Sequence, residues 1–374
     1  MKFTEYYKGD KLVEWLINLI ETQYKNDIAL VIRCNSLAAP GYEDNIFPTF
    51  YIPVTEKGKE PSCSFIIGGK SHDFFYWEYD CFEKFGNAAH YDTMVLADSV
   101  CLYAKSEEDY KRYQDCRKEL FENIKNSEHM KHVAVGDYLY AAEIYKDCCH
   151  ETSLSNVMFN GGYVCDLLVH TIASMNNRYI PQSFTNQYEF LESCKNKPDG
   201  FKELYLKINR SKNTEEINRL CGDMIEMMKT FLNYDEEAEI KYANSHIVQM
   251  MKHAPFISEK RPDFDIYGLA GWYEEMIYDW SRIRGFAKQD EPLNVHGWAV
   301  KLQFELWFAS KYFGIEEYPL LEKFDENDMT EFLKYADWVE SDIRKILSDN
   351  NAKLNEFAAV DEFIEAFENK KVRL

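Results

Sequence analysis

The sequence predicts an α+β protein in which a small mixed β-sheet domain is followed by an all-helical domain. Short runs of β-branched and aromatic residues end near residue 106, and such runs between turn-forming residues are typical of strands. Beyond that point apolar residues recur at steps of three and four, as in amphipathic helices. Ser106 and the acidic residues after it favour a helix start, because Ser caps a helix and acids complement its dipole.

The N-terminal elements follow from this patterning in chain order. An amphipathic helix is predicted over residues 10–24, and a short helix over residues 80–85. Strands are predicted at 28–34, 50–54, 63–67, 73–78 and 99–103. Pro53 in the second of these indicates an edge strand or a strand end, since proline cannot donate a ladder hydrogen bond.

The rest of the chain is predicted to be helical, and no strand is expected after residue 106. The predicted helices span 106–126, 130–148, 153–178, 213–233, 264–286, 295–313, 328–348 and 356–369. Segments with proline or glycine separate several of them. The predicted division is an α/β domain over 1–126, a helical bundle of a substrate-binding type over 127–235, and an additional helical region over 236–374.

The composition limits the classes of partner. The chain has 374 residues, with 64 acidic and 43 basic side chains and a formal net charge of −21. This balance disfavours nucleic-acid binding, which needs clustered Lys and Arg to neutralise phosphates. A negative surface suits a cationic small-molecule substrate, although acidity also serves solubility alone.

The cysteines and the apolar segments indicate a cytoplasmic protein without a membrane partner. The ten cysteines form no CxxC pair, so the short spacing of a zinc site is absent. Most lie in apolar contexts and are interpreted as reduced, buried thiols. Neither a secretory signal pattern nor a membrane-length apolar run is present in the sequence.

Three stretches, taken in order, resemble one known superfamily. Residues 31–39 look like a strand followed by a Gly-Ser-x-Ala turn, and residues 96–103 are similar to the strand that closes a catalytic sheet. Residues 166–181 look like a bundle helix that ends in an Asn-x-Arg-Tyr-Phe-Pro-like turn. Together they resemble the nucleotidyltransferase superfamily with its DNA polymerase beta-like fold, and within it the kanamycin and aminoglycoside type with a helical C-terminal domain.

The resemblance implies a nucleotide site that this sequence has altered. In active members the Gly-Ser turn holds a nucleoside triphosphate, and an Asp-x-Asp pair on the next strand binds two divalent metal ions. The turn corresponds to Asn35 and Ser36, and the aspartate positions fall at Thr49 and Tyr51. These four residues are the predicted cofactor-binding positions. No metal site is expected, because Thr and Tyr are poor Mg²⁺ ligands beside a carboxylate.

The resemblance therefore implies a catalytically degenerate protein that binds a nucleotide or another small molecule in the cleft between its domains. One alternative is an active enzyme that transfers an adenylyl group to a small-molecule hydroxyl. That enzyme would use rearranged acids, for which Asp44, Asp73 and Glu78 are the candidates, and only it would need Mg²⁺ with a nucleoside triphosphate. The other alternative is a protein-interaction module with a vestigial pocket.

The helix predicted over 264–286 carries the densest cluster of candidate binding residues. Glu275 and Asp279 are four residues apart and are expected on one helix face. With Trp272 beside them, they could form an acidic, aromatic-lined wall for a cationic ligand. The simpler alternative is an amphipathic helix that buries its aromatic residues and exposes its charges to solvent.

Overall fold

The α+β fold class is confirmed. The computed structural model describes residues 1–34, 49–88, 93–181, 185–233 and 264–373. Tertiary contacts group the chain into two compact units. Unit 1 comprises Met1–Glu122, Tyr267–Ser281 and Leu347–Leu374, and unit 2 comprises Asn123–Ile266 and Arg282–Ile346.

Unit 1 contains a mixed six-stranded sheet with the strand order β5-β1-β2-β4-β3-β6. The strands are β1 Ile28–Cys34, β2 Thr49–Pro53, β3 Cys63–Ile67, β4 Lys70–Tyr76, β5 Ser99–Ala104 and β6 Glu356–Phe357. The β2–β4 and β3–β6 pairs are parallel, and the other pairs are antiparallel. Pro53 lies at the end of an internal strand, where its missing N–H leaves the ladder intact.

Helices make up most of the remaining described chain. They are α1 Lys11–Gln23, α2 Tyr79–Gly86, α3 Thr93–Ala97, α4 Glu107–Lys125, α5 Ser127–His150, α6 Leu154–Met175, α7 Gln187–Ser193, α8 Phe201–Arg210, α9 Thr214–Leu232, α10 Ile266–Lys288, α11 Pro292–Phe313, α12 Thr330–Asp349 and α13 Val360–Glu368. The predicted helices are all present within a few residues of their expected bounds. The short helices α3, α7 and α8 were not predicted.

The core of unit 1 lies between α1 and one face of the sheet. Side chains from α1, β1, β2, β3 and β4 form one buried apolar cluster, which accounts for the predicted helical stripe of α1. Asp10 caps this helix by accepting a hydrogen bond from the Val13 backbone N–H at 3.2 Å. The same carboxylate pairs with the buried Arg33 on β1 at 2.5 Å, so one ion pair fixes the helix start against the sheet.

Strand β4 was predicted to begin at residue 73. It begins at Lys70, because a two-glycine turn joins it to β3. Gly68 and Gly69 both have positive φ angles, +57° and +78°. Two such residues in succession form the tight hairpin turn whose twist matches that of the flanking strands. Ile67 therefore pairs directly with Lys70, and the hairpin includes residues that the apolar pattern alone did not assign.

The prediction that no strand follows residue 106 is wrong. Strand β6 runs parallel to β3, pairing Ile66 with Glu356 and Ile67 with Phe357. Behind it, α13 buries Phe363 against Phe65 with ring centroids 3.8 Å apart. The end of the predicted helical region 236–374 thus belongs to unit 1, because it supplies both backbone pairing and core side chains. The three-domain division as a whole stays a prediction.

Unit 2 is a helical assembly with α6 at its centre, in contact with α5, α8, α9 and α11. Two adjacent glycines let the neighbouring helices approach closely. A Cβ atom at Gly161 would lie 3.0 Å from Ile217 Cγ2, and one at Gly162 would lie 2.6 Å from Val300 Cγ1. Among the described residues, no helix combines the length and apolar character needed to cross a membrane.

We expect Phe363→Ala to destabilise unit 1 by about 3–5 kcal/mol, because it leaves a cavity against Phe65. Glu365→Ala in the same helix removes an exposed side chain and is the control, with an expected change below about 0.5 kcal/mol. Urea denaturation of both variants measures the difference. A Phe363→Ala protein as stable as the control would show that α13 does not contribute to the core.

Candidate functional site

The segment predicted as the second strand, residues 50–54, forms strand β2 over Thr49–Pro53. Strand β2 lies between β1 and β4. Tyr51 is fully buried in the apolar cluster beneath α1, and its hydroxyl donates to the Lys59 carbonyl at 3.2 Å. Thr49, two residues earlier, lies on the same face of the strand by alternation, and Phe50 and Ile52 lie on the other face. Neither face of β2 presents a carboxylate.

The predicted turn residues Asn35 and Ser36, and the candidate acid Asp44, lie outside the described residues. Thr49 is 3% exposed and Tyr51 is 0% exposed. The nucleotide-binding role of these residues stays a prediction.

The candidate acids Asp73 and Glu78 occupy different environments. Asp73 is half-buried on β4, directly opposite Ser64 of β3. Glu78 is exposed, precedes the first residue of α2, and pairs with Lys59 Nζ at 2.7 Å. Glu78 therefore lies in an ion pair beside a helix start, whereas Asp73 lies on the sheet.

Helix α10 brings one predicted binding residue to the sheet. Glu275 is exposed, and its Oε1 accepts a hydrogen bond from Ser64 Oγ at 3.1 Å. Because Ser64 is the cross-strand partner of Asp73, two candidate acids that the sequence placed 202 positions apart flank one serine. Phe75, two residues along β4 from Asp73, is 43% exposed on the same face.

The other two predicted residues of this helix are buried. Trp272 is 6% exposed and packs edge-on against Trp280, with ring centroids 6.2 Å apart. Asp279 is 1% exposed, so it does not share a solvent-facing surface with Glu275. A spacing of four residues leaves an angular offset of about 40°, which is enough to separate a solvent-facing position from a buried one.

Glu274 is fully buried next to exposed Glu275, and the sequence pattern did not single it out. Its Oε1 accepts from the Asn355 backbone N–H at 2.6 Å, and its Oε2 accepts from Arg373 Nη2 at 2.7 Å. Burial raises the pKa of Glu274 to about 7, and the bonds from Asn355 and Arg373 oppose this rise. Helical periodicity could have placed Glu274 on a buried face, but its partners lie 81 and 99 residues away.

Unit 2 contains a second buried polar network. Asp166 on α6 has no exposed surface, and its Oδ1 accepts from Gln187 Nε2. Tyr205 donates its hydroxyl to Gln187 Oε1 at 3.1 Å, and His170 Nε2 lies 3.9 Å from Asp166 Oδ2. The network joins α6, α7 and α8, so it supplies the partners that a buried carboxylate requires.

Within residues 1–34, 49–88, 93–181, 185–233 and 264–373, no three His, Cys, Asp or Glu side chains converge as a metal site would require. Asp73, Ser64 and Glu275, with Phe75 beside them, make up the candidate site, which we call the Ser64 site. Its chemistry is that of two carboxylates and a hydroxyl beside an exposed ring, and it can accept hydrogen bonds and attract positive charge.

Comparisons with known proteins give distant matches among solved structures and none among protein families or curated proteins. Among solved structures, the chain is similar to a nucleotidyltransferase-like protein from Exiguobacterium sibiricum 255-15, with 10% sequence identity and a TM-score of 0.37. The match covers 74% of this chain and 91% of that one. At this similarity the match carries no argument about function.

We expect the half-buried His72 on β4 to lower the stability of the protein in acid. Burial lowers the pKa of His72 to about 4 from an ordinary value of 6.5. The unfolded chain therefore binds a proton that the folded chain does not, so stability falls as the pH drops from 6.5 towards 4. Relative to His72→Phe, the wild type should lose up to about 3 kcal/mol over this range.

Urea denaturation at several pH values measures this difference. His150→Phe is the control, because His150 is exposed and water solvates it in both states. A wild-type profile parallel to that of His72→Phe would contradict the neutral state of this imidazole in the folded protein.

Proposed function

We propose that this chain is a nucleotidyltransferase-like protein of the kanamycin and aminoglycoside type that lacks metal-dependent transfer and binds a nucleotide or another small molecule. The observation that carries the proposal is β2, which lies inside the sheet and bears Thr49, Phe50, Tyr51 and Ile52. Nucleotidyl transfer through two metal ions needs carboxylates at that strand to hold them. Without those carboxylates, binding is the function that the remaining site supports.

The Ser64 site supports a cationic ligand. Asp73 and Glu275 flank Ser64, and a positive group near them would gain from both charges. The exposed ring of Phe75 on the same face offers an apolar or cation–π contact. A net charge of −21 would also speed the approach of such a ligand.

Calorimetry with nucleoside triphosphates and with a cationic aminoglycoside, each with and without Mg²⁺, tests the proposal. We expect binding that does not depend on Mg²⁺ and no release of pyrophosphate when the two ligands are combined. Release of pyrophosphate that requires Mg²⁺ would establish an active enzyme and contradict the proposal. Absence of binding to every one of these ligands would also contradict it and would favour a protein-interaction module.

The variants Asp73→Asn and Glu275→Gln test the Ser64 site. Each removes one negative charge from the site, so we expect roughly a 3- to 10-fold loss of affinity for a cationic ligand. Asp115→Asn on α4 makes the same change in net charge at an exposed position and is the control. If all three variants bind the cationic ligand with equal affinity, the ligand does not bind at the Ser64 site.

A further inference from the structure

A guanidinium group from the last residues of the chain lies against α10 and contacts a buried carboxylate. Glu274 Oε2 accepts hydrogen bonds from Arg373 Nη2 at 2.7 Å and from the Asn355 side-chain amide at 3.4 Å. Glu274 Oε1 accepts from the Asn355 backbone N–H at 2.6 Å. Arg373 Nη1 donates to the Tyr267 carbonyl at 3.3 Å, so two nitrogens of the guanidinium have separate acceptors on one helix.

Gly271 provides the space that this guanidinium fills. It lies on α10 between the two residues that supply the acceptors. A Cβ atom at Gly271 would lie 3.1 Å from Arg373 Nη1 and 3.7 Å from Nη2. The shorter distance is closer than an ordinary van der Waals contact, so the absence of a side chain at this position lets the guanidinium lie against the helix backbone.

The guanidinium separates the carboxylate from water. The Arg373 side chain is 30% exposed, whereas that of Glu274 is 1% exposed. The space that the Arg373 side chain occupies therefore leads from the solvent to the carboxylate. We call the Glu274 carboxylate, the Tyr267 carbonyl and the backbone at Gly271 the Glu274 pocket.

The backbone of Arg373 is held independently of its side chain. The Asn355 side-chain oxygen accepts from the Arg373 N–H at 2.9 Å, and the Asn355 amide donates to the Arg373 carbonyl at 2.9 Å. Asn355 is itself fixed to the sheet, because its amide donates to the Ser64 carbonyl at 3.0 Å. Shortening the Arg373 side chain therefore empties the Glu274 pocket and leaves these backbone contacts in place.

The arrangement of acceptors favours a guanidinium over an ammonium ion. A guanidinium is planar, presents its N–H groups in a fixed fork and is more weakly hydrated than an ammonium. The Glu274 carboxylate and the Tyr267 carbonyl accept from two nitrogens of that fork at once. A compact ammonium lacks the fork that spans these two acceptors, and it loses more hydration on entering the pocket.

We propose that the Glu274 pocket is a binding site for monosubstituted guanidinium ions and that Arg373 occupies it as a tethered ligand. A tethered group has an effective concentration of about millimolar or above. A free guanidinium compound therefore binds only weakly while Arg373 is in place, and it binds well once that side chain is absent. The proposal does not depend on the ligand of the Ser64 site.

Thermal unfolding of the full-length Arg373→Ala protein at pH 8, with methylguanidinium or methylammonium at equal ionic strength, tests the proposal. Methylguanidinium at ten times its dissociation constant should raise the melting temperature of the variant by roughly 2–4 °C. Methylammonium should have a much smaller effect, and so should methylguanidinium on the wild type. If Arg373→Ala does not fold alone, methylguanidinium should restore folding, and failure to restore it would overturn the proposal.

Arg219→Ala is the matched control, because it removes an exposed arginine that pairs with Asp223 at 2.8 Å. It should show no specific response to methylguanidinium. Gly271→Ala combined with Arg373→Ala places a methyl group in the pocket and should abolish the response.

Three results would overturn the proposal. The first is an Arg373→Ala protein that responds to methylguanidinium no more than Arg219→Ala or the wild type does. The second is an equal response of Arg373→Ala to methylammonium, which would show that the pocket selects charge alone. The third is a full response of the Gly271→Ala combination, which would show that the ion binds elsewhere.

Discussion

The structure of unit 1 depends on the return of the chain to the β3 edge near its C-terminus. Strand β3 pairs with β4 on one side, and β6 covers its other side with only two residues. So short a strand is stable only because side chains secure it from both ends, Asn355 through hydrogen bonds and Phe363 through stacking on Phe65. The contact joins residues almost 300 positions apart, so unit 1 is complete only after the segment around residue 357 has been made.

Both units contain a buried carboxylate whose partners come from elsewhere in the chain. Glu274 relies on Asn355 and Arg373, and Asp166 relies on Gln187. A buried charge without partners is strongly unfavourable, so each network requires one arrangement of its helices. This requirement stabilises the native arrangement against alternatives that apolar packing alone would allow.

The elements that follow from local patterns could be predicted from the sequence, and those that need distant partners could not. Strands β1 and β3 have the predicted bounds, because each is a short apolar run between turns. Strand β6 has no such run, since its two residues take their pairing from β3. The Ser64 site shows the same limit, because Asp73 and Glu275 were identified separately. Their shared neighbour depends on how α10 meets the sheet, which no local pattern encodes.

The central claim, that the C-terminal return completes unit 1, is tested most directly by a chain that ends at Lys353. Urea denaturation of this chain and of the full-length protein, followed by tryptophan fluorescence, compares the two. Trp15 is one of seven tryptophans and contacts Phe363 and Phe367, so part of the emission reports on this packing. The account predicts that the truncated chain loses the cooperative transition of unit 1 or shows it at a much lower urea concentration. An unchanged midpoint and slope would contradict it.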